Sequence, residues 1–286
     1  MKKQLTPAIK NPAPHQSELN SLLEHYQNGR YEDAEKLALI LTDKFRTHPF
    51  GWKVLGAVLN QTGRISEGLI ACEKSVAIEP ENAEAHYNLG VTLKQLGRLE
   101  KAEVSYREAI ALKLGYFEAH SSLANTLKDL GRLEEAEASY REAIALKPDF
   151  ALTHYNLGVT LKELGRIEEA EESYKQAIAL KPDFALALMN RGQLLFDKGE
   201  FEMALKDFDL CDTKNSRVCA LQSLYALGRV EDIYKRIETQ SEEDDENLGI
   251  AAIAAFLAER EKKDTAHNFC KNPLEFIHFS NISSHL

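Results

Sequence analysis

His86, His120 and His154 stand 34 residues apart, and histidines at a fixed interval could form a ladder of metal ligands. The chemistry fails on distance. Helices pack roughly 8–10 Å apart, whereas a shared metal needs its nitrogens at about 2 Å. Packing at helix interfaces is the reading this spacing favours. The cysteines are no better placed. Cys72, Cys211, Cys219 and Cys270 contain no C-x-x-C pair, so neither a zinc site nor a disulfide framework is predicted. Cys72 and Cys211 fall where a helix wants a small inward side chain, so both are expected as buried thiols, which suits a reducing cytoplasm. No H-x-D or H-x-E pair occurs, so a facial iron triad is missing. The glycine-rich phosphate loops and the G-x-S-x-G nucleophile elbow are also missing. The many carboxylates alternate with basic residues, as in RLEEAEASYREA, the pattern of a solvated helix face. No catalytic residue, cofactor or metal is expected, and the chain is not expected to be an enzyme.

The interval between the histidines is the period of the chain. Residues 83–116, 117–150 and 151–184 are near-copies of one unit, and the frame holds through six windows: 15–48, 49–82, 83–116, 117–150, 151–184 and 185–218. In each, apolar or small residues at positions 4, 7, 8 and 11 (His86, Leu89, Gly90 and Leu93 in the third) mark one face of a helix. Glycine at position 15 (Gly29, Gly63, Gly97, Gly131, Gly165, Gly199) marks its end. A second helix has a small residue at position 20, an aromatic at 24 (Tyr106, Tyr140, Tyr174, Phe208) and alanine at 27. Proline at position 32 (Pro80, Pro148, Pro182) is expected to stop it. After Val218 the frame slips. Residues 214–240 still give two shortened helices about Gly228, a degenerate seventh repeat.

These positions resemble the tetratricopeptide repeat (TPR) family, whose units carry W/Y at 4, L-G at 7 and 8, Y at 11, A at 20, F/Y at 24, A at 27 and P at 32. Trp52, Leu55, Gly56 and Pro80 match in the second window, and the middle three windows match almost throughout. The first window lacks L-G, and the sixth has Arg191 at position 7. Terminal repeats are expected to be atypical because one side faces water. The resemblance implies an all-α, right-handed superhelical solenoid whose first helices line a concave groove, with positions 2, 5, 6, 9, 12 and 13 facing it.

Groove position 6 holds Asn20, Val54, Asn88, Ser122, Asn156 and Asn190. An asparagine offers a donor and an acceptor together, so a row of them can pair with a peptide backbone of any sequence. The row is similar to the asparagine ladder of O-linked N-acetylglucosamine transferases. Alternatively, these amides hydrogen-bond neighbouring helices. Position 12 holds Lys94, Lys128 and Lys162, and position 5 holds Tyr87 and Tyr155. Together they suggest an acidic or mixed extended partner, or else a solubilising lysine row, with Asp129 and Glu163 beside two of them. The carboxylate clamp of chaperone-tail-binding relatives does not fit. Lys53 and Asn88 match it, but Ala57, Glu118 and Ser122 do not.

The net charge of −10 argues against nucleic acid or a membrane surface as a general partner. No apolar run approaches the roughly 18 residues of a membrane span, and no signal peptide is read at the start. Residues 1–14, with three prolines, are expected as a flexible tail. Residues 241–263 are expected as an acidic loop and a capping helix. The last stretch, 264–286, contains FCKNPLEFIHFSNISSHL. It resembles the junction to a 2-oxoglutarate and iron(II) oxygenase-like domain, or it folds back as a cap. Two functions stay open. One is a cytoplasmic scaffold for an extended protein segment. The other is the substrate-recruiting arm of a modifying enzyme, glycosyltransferase or oxygenase, whose catalytic part lies elsewhere.

Overall fold

The computed structural model describes residues 13–243, together with Ile250, Ile253 and Ala254. Those residues form fourteen helices and no strand. They fall into two compact units, Met1–Pro148 and Asp149–Leu286. The first unit holds α1 (Gln16–Gln27), α2 (Tyr31–Lys44), α3 (Pro49–Gln61), α4 (Ile65–Ile78), α5 (Ala83–Gln95), α6 (Leu99–Leu112), α7 (Phe117–Asp129) and α8 (Leu133–Leu146). The second holds α9 (Ala151–Glu163), α10 (Ile167–Leu180), α11 (Ala185–Asp197), α12 (Phe201–Cys211), α13 (Lys214–Ala226) and α14 (Val230–Glu243). Each unit is an all-α solenoid of stacked helix-turn-helix repeats.

Small residues set the stack. Gly97 and Gly131 take φ of +70° and +75°, a left-handed turn that a side chain resists, so the chain reverses there and the second helix packs back on the first. At position 8 the reason for glycine is different. A Cβ on Gly90 would lie 2.7 Å from the ring of Tyr106, and one on Gly158 2.7 Å from Tyr174. Tyr106, Tyr140 and Tyr174 are fully buried between the paired helices. The core of the first repeats is aliphatic, built on Leu22, Leu41, Leu55 and Leu59. That of the last repeats gathers Phe208, Leu221, Leu224, Ile233 and Ile237, with Ile250 and Ala254.

Three sequence expectations change. Proline is not what stops the second helices. Leu114 stands in its place in the third window, yet α6 ends at Leu112, in register with α8 and α10. What recurs is a clamp on the turn. His120 Nε2–H donates to the Leu114 carbonyl (3.1 Å), and His86 Nε2–H to the Pro80 carbonyl (2.8 Å). Trp52 Nε1–H does the same to the Arg46 carbonyl (3.1 Å). In these three repeats position 4 supplies a ring N–H at a set reach, from histidine or tryptophan.

Arg191 does not face water as a terminal irregularity. Its guanidinium grips Asp207 with two hydrogen bonds of 2.7 and 2.6 Å, and the Asp207 side chain is only 2% exposed. Asp207 holds position 23, where the preceding repeats have Ser105, Ser139 and Ser173. The sixth repeat replaces a leucine and a serine by a paired charge.

The shortening near Val218 falls on α12, with 11 residues, while α13 and α14 keep 13 and 14. Asp212 caps α12 at φ +42°, and Thr213 with Ser216 caps α13 reciprocally. The next helix therefore starts at Lys214, ahead of the frame. α14 runs on to Glu243, so the first residues of the expected acidic loop are helical. The tail 1–12, residues 244–249 and the stretch beyond Ala254 lie outside the described residues.

Candidate functional site

The first helices carry the predicted residues, and the structure separates their roles. Asn88 sits half-buried on α5, with its backbone carbonyl held by the Thr92 hydroxyl at 2.8 Å. Its side-chain amide has no hydrogen-bond partner among the described residues. Ser122 and Asn156 repeat the backbone arrangement, accepting from Thr126 and Thr160 at 2.8 and 2.9 Å. Asn190 behaves differently. Its Nδ2 donates to the Tyr155 hydroxyl (3.1 Å) and ties α11 to α9. Asn20, at the start of the row, accepts from Gln16 within its own helix.

The lysine row also divides. Lys94 reaches the next repeat and pairs with Asp129 at 3.0 Å. Lys128 is half-buried and Lys162 exposed, and neither makes an ion pair among the described residues. The tyrosines are packed. Tyr87 lies 5.9 Å from Tyr106 and 5.2 Å from Tyr116, ring to ring. Tyr155 lies 6.0 Å from Tyr174 and 5.2 Å from Phe184. Each trio stacks positions 5, 24 and 34 of one repeat.

Sequence reasoning missed three features. Asn125, at position 9, donates to the Ser121 carbonyl (2.9 Å) and accepts from the Tyr140 hydroxyl (2.8 Å). Leu152 and Leu186, at position 2, are 45% and 57% exposed, where the first unit has Glu84 and Glu118. The change of type at position 2 is visible in the repeat alignment, but its exposure is not. Lys53 pairs with Glu84, so the one clamp-like lysine is already satisfied.

Among the described residues no three metal-ligating side chains converge. Cys72 is buried, which pushes its thiol above the usual range, and its Sγ lies 3.4 Å from the Thr92 hydroxyl. Cys211 is half-buried, not buried as expected, because α12 ends there; its thiol points at the Ala185 carbonyl. No helix among the described residues is long and apolar enough to cross a membrane.

Comparison with known proteins fits this geometry. A TPR repeat model matches residues 124–165, and a tetratricopeptide repeat model matches 83–113 and 151–184. A search of curated proteins by sequence finds no match. Among solved structures, YrrB, described as a TPR protein with an unusual peptide-binding site, is 24% identical with a TM-score of 0.53, over 61% of this chain and 90% of YrrB. PilF of Pseudomonas aeruginosa is 19% identical with a TM-score of 0.59, over 72% and 96%. MamA is 26% identical with a TM-score of 0.53, over 55% and 92%. The chain is a helical-repeat protein, and its residues 83–113 and 124–184 match tetratricopeptide repeat models.

Proposed function

We propose that this chain is a protein–protein interaction scaffold that holds an extended peptide segment along the first-helix face of its repeats. The observation that carries the reading is Asn88. Its carbonyl is held by Thr92, its neighbour Tyr87 is packed between two rings, and Lys94 is fixed by Asp129. The surroundings are rigid while the amide itself keeps a donor and an acceptor for an incoming backbone. Exposed Leu152 and Leu186 add apolar contact on the second unit. YrrB supports the fold of such a scaffold, not its ligand. The net charge of −10 and the free thiols suit a cytoplasmic protein partner over nucleic acid.

The test is a titration of the full chain with a peptide selected from a displayed random library. Asn88→Ala combined with Asn156→Ala should weaken binding by about tenfold, the equivalent of ~1.4 kcal/mol, with the helical signal unchanged. Equal affinity in the variant rejects the asparagine row as the binding element.

A further inference from the structure

The second helices of the first unit are joined by a clamp that recurs between repeats. The arginine at position 16 holds the glutamate at position 19 of its own repeat and the glutamate at position 21 of the repeat before. Arg64 grips Glu67 with two bonds of 2.8 and 2.6 Å and reaches Glu35 at 2.5 Å. Arg132 grips Glu135 at 2.7 and 2.6 Å and reaches Glu103 at 2.6 Å. Between the second and third repeats the same arginine is Arg98, but position 19 holds Lys101 and position 21 holds Leu69. Both carboxylates are missing, and a second cation stands in place of one. Arg98 and Lys101 are exposed, and neither side chain has an ion-pair or hydrogen-bond partner among the described residues. Glu100 is no substitute, since its counterpart Glu134 stays outside the Arg132 clamp.

An independent departure falls on the same two helices. Position 22 is Lys36, Ala138, Glu172 and Lys206 in the other repeats, but Ile70 on α4 and Val104 on α6. These two side chains are 59% and 61% exposed. Val104 stands three residues after Lys101 on α6, so the two are surface neighbours, and Ile70 follows Leu69, which holds the place of Glu35. Fold stability does not account for the pairing of these changes. Exposed ion pairs contribute about 0–1 kcal/mol, and exposed aliphatic side chains bury little. By the register of the repeat, the seam between α4 and α6 offers a guanidinium and an ammonium beside two exposed aliphatic groups.

We propose that this seam docks a partner protein through an aspartate or glutamate flanked by aliphatic residues, an interaction separate from the peptide groove. The neighbouring clamps show what the position-16 arginine takes. An incoming carboxylate fills the place that Glu67 and Glu135 hold beside Arg64 and Arg132, with two parallel bonds to the Arg98 fork. Lys101 adds a further donor, and Ile70 and Val104 supply the apolar contact that shields the pair from water. A basic segment is repelled.

Lys101→Glu tests this, because it rebuilds the position-19 carboxylate of the neighbouring repeats and lets Arg98 close on its own chain. A random dodecapeptide library is first depleted on the full Lys101→Glu chain, which removes groove binders, and the remainder is panned on the wild-type chain. The expected survivors carry an aspartate or glutamate beside an aliphatic residue. A synthetic survivor should bind Lys101→Glu about tenfold more weakly than wild type, lose affinity as salt is raised, and keep its affinity for the Asn88→Ala, Asn156→Ala chain. No survivors, or survivors without a carboxylate, overturn the proposal. So does loss of binding on the asparagine variant, which returns those peptides to the groove, or Lys101-dependent binding of phosphatidylserine vesicles in place of peptides. Each of these outcomes leaves the groove reading to its own titration. Arg98→Gln, a change at one exposed side chain, keeps the affinity test available if Lys101→Glu loses its helical signal.

Discussion

The repeats at 83–116 and 117–150 share a scaffold and differ in what they offer outside it. Both clamp their turns through a position-4 histidine, bury a position-24 tyrosine, and bond a position-10 threonine to the position-6 carbonyl. At positions 5, 6, 8 and 9, α5 has Tyr87, Asn88, Gly90 and Val91, and α7 has Ser121, Ser122, Ala124 and Asn125. α5 stacks Tyr87 on Tyr106 and needs Gly90 to admit the ring. α7 gives up the outer ring, accepts a buried Ala124, and turns Asn125 onto the Tyr140 hydroxyl. One asparagine is therefore spent on packing, and the other keeps its side-chain amide without a partner among the described residues. Residue type does not tell them apart; position within the repeat does.

The largest expected effect tests what the two repeats share. Tyr106→Ala and Tyr140→Ala should each cost ~3–5 kcal/mol, as for other buried aromatic deletions, read by chemical denaturation. A cost confined to one of them breaks the equivalence of the two scaffolds. Next comes Gly90→Ala. The added methyl meets the Tyr106 ring and should cost about 1–2 kcal/mol, overpacking outweighing the helix preference of alanine. Adding Tyr87→Ser copies α7 and frees space for the ring. A thermodynamic cycle should then show a coupling above ~0.5 kcal/mol; simple additivity contradicts the packing account. Smallest are the asparagines. Asn125→Ala removes an acceptor from the Tyr140 hydroxyl and should cost about 1 kcal/mol. Asn88→Ala should stay within ~0.5 kcal/mol of the parent. Equal losses at the two positions erase the distinction drawn here.

Much of this fold was legible because the period, the position-15 glycine and the position-24 aromatic are local signals repeated many times. What escaped depends on side-chain reach between helices. His86 and Trp52 look unrelated as residues, but both present a ring N–H to a carbonyl six residues back. The Arg191–Asp207 pair joins two helices of one repeat. The signal was present, since an aspartate stood at position 23 just where an arginine stood at position 7, but only the packed pair shows them as one change. Lys94 and Asp129 pair across repeats, so neighbours in sequence were poor guides to neutralisation. For the candidate site, sequence located the helix face and the residue types. It did not show which amides were already used, nor that the tyrosine before α7 packs on Tyr87.

Amide hydrogen exchange on the full chain, with and without a library-selected peptide, tests the central claim most directly. Binding on the first-helix face should slow exchange in α5 and α7, including the segment around Asn88, while α6 and α8 change little. Protection confined to α6 and α8, or to the apolar furrow between α2 and α4 around Leu39 and Ile70, would contradict it.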